Sequence, residues 1–415
     1  MKLKLIRKNN IALDSLWTMI GLVSMNGIAQ FVVYPFLRNI YGADVYGRIL
    51  SMLGIVNIVA ISFGASLNNA RLVAKSKGKG VNNKPYLLFL LLVLPVAFLL
   101  SLGVFVVMKE PVELLPLLLY WLLMCLTILK FYSEVEYRLN TNYVGLLFYY
   151  LAISAGYLLG ILFVKITGQW TLGLLTGELF GFIFVLLRGS LYRKSQEDKE
   201  ENLSYLWKSV RYLIVAQLLL NVVFNSDRII LMAFCDSLSV TIFYIASAVG
   251  KMISFVTSSF NSVIIGYLSK KKDALSTKQF WGIFSLVSLA VVLATGACYI
   301  GSIIYTKWLY PSDYASTKPF FLLANMAQIF YFSSGIFTTI LLRYEKEKMQ
   351  TTINVIYTIV FCAVTIPMTF WFGIWGYVYG ILISNAFRYA LAAVICHNNL
   401  KRLERTSTNE TVSVC

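Results

Sequence analysis

Long apolar runs separated by short polar, mostly basic stretches make up the chain from Ile11 to Cys396. A helix crosses about 30 Å of hydrocarbon with roughly 20 apolar residues. On that measure the pattern predicts an all-α membrane protein of twelve spans, over 12–37, 45–67, 86–108, 112–130, 143–164, 170–190, 212–234, 240–264, 280–305, 319–342, 351–372 and 375–396. The first run follows a basic start, as in a signal peptide. It is too long for one and carries no small-residue cleavage site, so it reads as a retained span.

Polar residues recur at helical spacing inside three spans. Asn26, Gln30, Tyr34 and Arg38 follow one another every four residues in the first. Gln217, Asn221 and Asn225 do so in the seventh and lead into Asp227 and Arg228. Ser247, Lys251, Ser254, Ser258 and Asn261 alternate four- and three-residue steps in the eighth. Each set lies on one helix face. Lipid penalises such a face, so it must meet another helix or water. Interhelical hydrogen bonds would satisfy any single stripe. Three stripes, two of them with cations, point to a hydrated cavity.

Orientation follows from the basic residues. With the N-terminus inside, most of the 36 Lys and Arg fall in cytoplasmic segments, Lys130, Arg138 and Arg71 among them. Outside segments hold only Arg38, Arg48, Lys109, Lys165, Lys307 and Lys318. That asymmetry sets both ends in the cytoplasm. The longest internal polar stretch separates six spans from six. It predicts an N-lobe over 1–191, a linker over 192–211, a C-lobe over 212–398 and a cytoplasmic tail over 399–415. Gly168-Gln169-Trp170 and Gly373-Ile374-Trp375 open the sixth and twelfth spans. Arg138 and Arg343 follow the fourth and tenth. Both pairs stand at one offset, as in a duplicated transporter.

Composition agrees. Hydrophobic residues are 58% of the chain and charged ones 13%, about half the share of a soluble domain. The net charge of +17 lies in scattered clusters rather than on one basic face, which excludes a nucleic-acid partner. The cysteines form no C-x-x-C pair and read as small apolar residues, and the lone His397 reads as a cytoplasmic surface residue. No metal or other cofactor is expected. A membrane-embedded glycan polymerase or ligase, the rival reading, would need an acid, base or Arg/His group on a sizeable outside loop. The longest outside loop, 306–318, has one acid, Asp313, so the chain is not expected to be an enzyme.

The intramembrane ionisable residues are Glu178, Asp227, Arg228, Lys251 and Arg388. Helix neighbours diverge by about 100°, so Asp227 and Arg228 are expected on different surroundings, one facing the lumen. Glu178 and Asp227 are candidate proton or sodium sites. Lys251 lies too deep to snorkel and is either a ligand for an anion or a partner of Asp227.

Several segments resemble bacterial O-antigen and polysaccharide flippases, a branch of the multidrug/oligosaccharidyl-lipid/polysaccharide exporter superfamily. The resemblance is carried by Tyr34-Pro35-Phe36-Leu37-Arg38-Asn39-Ile40-Tyr41-Gly42 with Val45-Tyr46-Gly47, by Phe63-Gly64-Ala65-Ser66 with Arg71, by Asn225 to Leu231 with Phe243 to Ala246, and by Phe372 to Gly376. It implies two six-helix lobes in the bacterial inner membrane, turning over an undecaprenyl-diphosphate-linked oligosaccharide. A glycan polymerase would act downstream. Arg38, Arg48, Arg228, Lys251 and Arg388 would then hold the diphosphate in the lumen while the prenyl tail stays in membrane lipid. Drug and metabolite exporters of the same superfamily are the nearest alternative.

Overall fold

The computed structural model describes residues 11–76, 83–192, 203–270, 275–344 and 348–413, and the side chains of 11–12, 76, 203–206, 208–209, 255–256, 258–270, 342–344, 348, 403 and 405–413 are not among those described. Among the described residues the chain is helical, with no strand. Its helices are α1 (Ile11–Ile28), α2 (Tyr34–Ala60), α3 (Ser66–Ser76), α4 (Lys84–Val107), α5 (Leu114–Leu139), α6 (Tyr143–Thr167), α7 (Leu172–Arg188), α8 (Leu203–Phe224), α9 (Ser226–Phe234), α10 (Ser237–Lys270), α11 (Thr277–Leu309), α12 (Tyr314–Thr317), α13 (Phe321–Tyr344) and α14 (Lys348–Ser413). Single π turns, Ala29–Val33 and Ile61–Ala65, join α1 to α2 and α2 to α3.

Among the described residues, eight stretches are long and apolar enough to cross a membrane, nine if Val210–Phe224 and Ser226–Phe234 are one broken span. Two of the eight, Leu13–Lys75 and Met349–Arg402, are far longer than one crossing needs. Each is broken at a glycine, Gly42 at φ 79° or Gly373 at φ 58°. A side chain there would crowd the backbone, and glycine adopts this conformation freely. Both breaks fall between two predicted spans. Counting these as four crossings, and the 17-residue α7 as a short one, gives the twelve of the apolar pattern.

Several boundaries differ from the sequence reading. α5 runs to Leu139 rather than 130, because alternating charges at its end find partners inside the protein. The seventh span breaks at Asn225. The expected tail continues α14 as helix to Ser413.

The chain divides into two compact units, 1–225 and 226–415. The division falls within the predicted seventh span. Of the expected linker, 193–202 lies outside the described residues. In the first unit α6 lies along α1 and α7, α5 touches α2, α3, α4 and α7, and α8 rests on α3 and the π turn Ile61–Ala65. The α6–α7 seam is lined with glycine. A Cβ on Gly156 would stand 2.6 Å from Gly177 Cα, so the two backbones meet directly, as small residues allow in lipid.

In the second unit α13 is flanked by α10, α11 and α14, and α9 packs on α10 and α14. Phe280, Phe337, Ile340, Ile353 and Tyr389 form part of its core. His397 packs its ring 5.4 Å from Phe280 and 5.3 Å from Trp281. It is thus a half-buried partner of this aromatic cluster and not the free surface residue expected. Leu99, Val107, Leu286, Val292 and Trp371 point outward and are largely exposed, a surface suited to lipid rather than water.

Candidate functional site

In the first unit the charged centre is Glu178 on α7, 3% exposed. Its Oε1 accepts from Lys130 Nζ at 2.6 Å and from Tyr157 Oη at 2.8 Å. Its Oε2 is buried without a partner. The glycine seam positions this group. A Cβ on Gly177 would overlap the Tyr157 ring, so the missing side chain lets the tyrosine lie against α7 beside the carboxylate. One turn beyond Lys130, Glu134 is buried and takes Arg138 Nη2 at 2.6 Å. The expectation that Lys130 lies in a cytoplasmic loop is therefore corrected: it is an interior residue of α5 with a side chain 10% exposed. The signal was present in the sequence. Lys130, Glu134 and Arg138 alternate in sign every four residues, the spacing of one helix face.

In the second unit Asp227 and Lys251 meet at 2.6 Å. Among the described residues Asp227 Oδ1 has no hydrogen-bond partner. Arg228, also buried, sets its guanidinium 5.1 Å from the centroid of Tyr244, and Lys251 lies 5.9 Å from the same ring. Asp227 and Arg228 thus both reach α10, against the expectation that they part company. Two side chains long enough to lean together overcome the angle between their Cβ atoms. Next to them Ser226 and Tyr377 share a hydrogen bond of 3.0 Å between hydroxyls.

Arg388 on α14 is built differently. It is 8% exposed, lies 4.1 Å from the Tyr331 centroid and 4.9 Å from that of Tyr357, and donates once, to Asn354 Oδ1 at 3.2 Å. Among the described residues no acceptor meets its buried Nε and Nη1. No carboxylate among the described residues forms an ion pair with it. Tyr357 is held by Asn385 Oδ1 at 2.8 Å, and Asn385 donates to Ala327 O at 2.8 Å, so the walls around the guanidinium are fixed.

The remaining expected site residues behave less uniformly. Asn26 donates to Leu22 O, Asn221 to Gln217 O and Oε1, and Asn225 to Asn221 O. Ser247 is buried and donates to Tyr244 O. Each of these four side chains thus has a bond within its own helix. Gln30, Arg38, Gln217 and Ser254 are half-buried. Ser258 and Asn261 lie outside the described side chains. Arg48 forms ion pairs with Asp44 at 3.2 Å and Glu110 at 3.0 Å.

No known family profile and no curated protein matches the sequence. Solved structures do. An inward-facing multidrug resistance MATE family transporter of the MOP superfamily is 11% identical, with TM-score 0.70, over 95% of this chain and 99% of that one. The Vibrio cholerae MATE transporter VcmN in its bent form is 12% identical, with TM-score 0.60, over 94% and 96%. The chain has the MATE transporter fold. An outward-facing MATE family transporter adds a match at 10% identity and TM-score 0.56, over 95% and 96%. These likenesses cover the MATE fold from end to end. They show the fold and do not reach the polysaccharide branch that the sequence segments resemble.

Proposed function

We propose that this chain is an exporter that works by alternating access and that its cargo carries negative charge. The export reading is supported by the full-length match to transporters of the MATE fold. The charge of the cargo is supported by one observation, the buried guanidinium of Arg388 with no acid beside it. A buried charge without a counter-ion is expensive, and an organic anion would supply one through short, charge-assisted hydrogen bonds. A cationic cargo would be repelled there.

The descriptions of the structural neighbours favour a small-molecule exporter as the cargo class. A lipid-linked oligosaccharide is the narrower reading, and a specific pattern favours it: the segment Tyr34 to Gly42 together with Arg388, since a diphosphate is an anion. In either case the cation set centres on Arg388, with Arg38 and Arg228 as further candidates. Lys251 serves Asp227. Glu178 and Asp227, each with one oxygen held by a lysine and one unpartnered, are the proposed coupling groups for protons or sodium. Protonating either carboxylate would release its lysine and give the unit two arrangements to move between. The bacterial inner membrane is the proposed location. A glycan polymerase is a partner only on the oligosaccharide reading.

Cells lacking the protein, and cells carrying Arg388→Ala, test this. On the oligosaccharide reading, lipid-linked repeat units accumulate on the cytoplasmic side and external polymer is lost. On the small-molecule reading, glycan is normal and an organic anion is retained. Retention of cationic dyes alone, with anions and glycan unaffected, would overturn the anionic assignment.

A further inference from the structure

The first unit holds another buried guanidinium, one that the export reading does not use. Arg71 on α3 is 5% exposed. Its Nη1 donates to Tyr132 Oη at 2.6 Å, its Nη2 donates to Asn83 Oδ1, and its Cζ lies 4.8 Å from the Tyr86 centroid. Nε is buried without an acceptor. Arg71 forms no ion pair among the described residues. The acids of that helix end are engaged elsewhere. Glu136 accepts from Ser190 N and Oγ, both at 3.1 Å, and Glu134 holds Arg138. The positive charge is solvated by two neutral oxygens and a ring.

The arrangement repeats that of Arg388. In both, an asparagine and a tyrosine three residues apart face the arginine, Asn83 at the cap of α4 with Tyr86 in its first turn, and Asn354 with Tyr357 on α14. In both, a tyrosine from another helix completes the cradle, Tyr132 or Tyr331. Residues three apart share a helix face, so the same spacing builds the same walls in each unit. Such a cradle holds a guanidinium in place without neutralising it. The charge is left for an anion from outside the chain.

The setting of Arg71 indicates which anion. Residues 71–84 contain Arg71, Lys75, Lys77, Lys79 and Lys84 and no acid. Lys75 Nζ donates to Leu139 O at 2.9 Å and so ties the end of α3 to the end of α5. The distribution of basic residues places it on the cytoplasmic side, where anionic lipid headgroups concentrate. We propose that Arg71, with Asn83 and Tyr132 positioning it, binds a phosphate group at the cytoplasmic end of the first unit, separately from the cargo. A lipid headgroup and a free phosphate share that chemistry. The planar guanidinium fork suits it, and an ammonium would not replace it fully.

The full chain, purified, tests the site in three settings: detergent with inorganic phosphate, nanodiscs of phosphatidylcholine alone, and nanodiscs containing phosphatidylglycerol. A ligand that binds only the folded state raises Tm. The wild-type protein should unfold roughly 2–4 °C higher with phosphatidylglycerol than without it, and native mass spectrometry should show that lipid retained. Arg71→Gln should lose the difference, and Arg71→Lys should keep part of it. A rise with inorganic phosphate in detergent identifies soluble phosphate as a sufficient ligand. A rise only with phosphatidylglycerol identifies the headgroup. If Arg71→Gln lowers Tm equally in both nanodiscs and leaves the lipid-dependent shift intact, Arg71 is a structural bracket and the proposal fails. It fails equally if the wild type responds to neither ligand. Should Arg71→Gln not fold, Arg71→Lys alone carries the comparison, and an undiminished shift in it contradicts the site.

Discussion

At Lys251 the sequence left two roles open, ligand for an anion and partner of Asp227, and the 2.6 Å contact supports the second. Removing one member of a buried pair strands the other charge, at a cost of about 3–5 kcal/mol. Lys251→Ala should therefore unfold well below the wild type in a thermal melt of the purified protein. The double variant Lys251→Ala with Asp227→Asn should recover most of that loss, because no uncompensated charge remains. A double variant as unstable as the single one would contradict the pairing. This pair was legible because both charges sit deep in adjacent apolar runs. Lys130 was not, because sixteen or so mostly apolar residues before it look like a complete span, and a lysine at the end of a span ordinarily marks a loop. Only its four-residue spacing to Glu134 and Arg138 hinted at an interior face. What sets Arg388 apart, the lack of an acid beside it, is a tertiary fact and could not be read from the sequence. The polar stripes were legible only in part, for a related reason. Periodicity gives the face of a side chain but not whether its hydrogen bond closes on its own helix.

Among the elements, helix ends and breaks follow local chemistry closely. Glycine at positive φ divides the long stretches at Gly42 and Gly373, and both positions fell between predicted spans. At α11 the start is secured twice. Ser276 and Gln279 exchange side-chain-to-backbone hydrogen bonds, a capping box. Glu404, beyond the last span, accepts from Thr277 N at 2.8 Å and from the Thr277 hydroxyl. The carboxylate thus satisfies an orphan N–H and sits at the positive end of a helix. These hydrogen bonds hold the Glu404 carboxyl below the ordinary range. A depressed carboxyl stabilises the folded state fully above its unfolded pKa, and the contribution is lost as pH falls through the folded value. Glu404→Gln should accordingly lower Tm at neutral pH, with the gap closing as the buffer is taken below about pH 4. A gap that is constant with pH would show that the carboxylate charge does not matter. The continuation of α14 that brings Glu404 to Thr277 was not legible, since the tail after 396 is too polar to read as part of a span.

For the whole molecule, the apolar pattern was enough to establish twelve helical crossings, and the match to MATE structures over nearly the full chain supports that architecture at about one-tenth identity. Fold survives such divergence because lipid demands only apolar length and satisfied backbone groups. Cargo does not survive it, because cargo is set by a few polar side chains. On the proposed function, this exporter fold moves an anion past Arg388. Gradient-driven transport in proteoliposomes tests this most directly. The purified wild type and Arg388→Ala would be reconstituted at equal density, with a proton or sodium gradient imposed and labelled organic anions, organic cations and a polyprenyl-diphosphate-linked sugar offered in turn. The account predicts gradient-dependent movement of an anionic substrate by the wild type. Arg388→Ala, folded by its thermal melt, should lose at least tenfold of that rate, and Arg388→Lys should retain part of it. Transport of organic cations alone, or anion transport unchanged in Arg388→Ala, would contradict it.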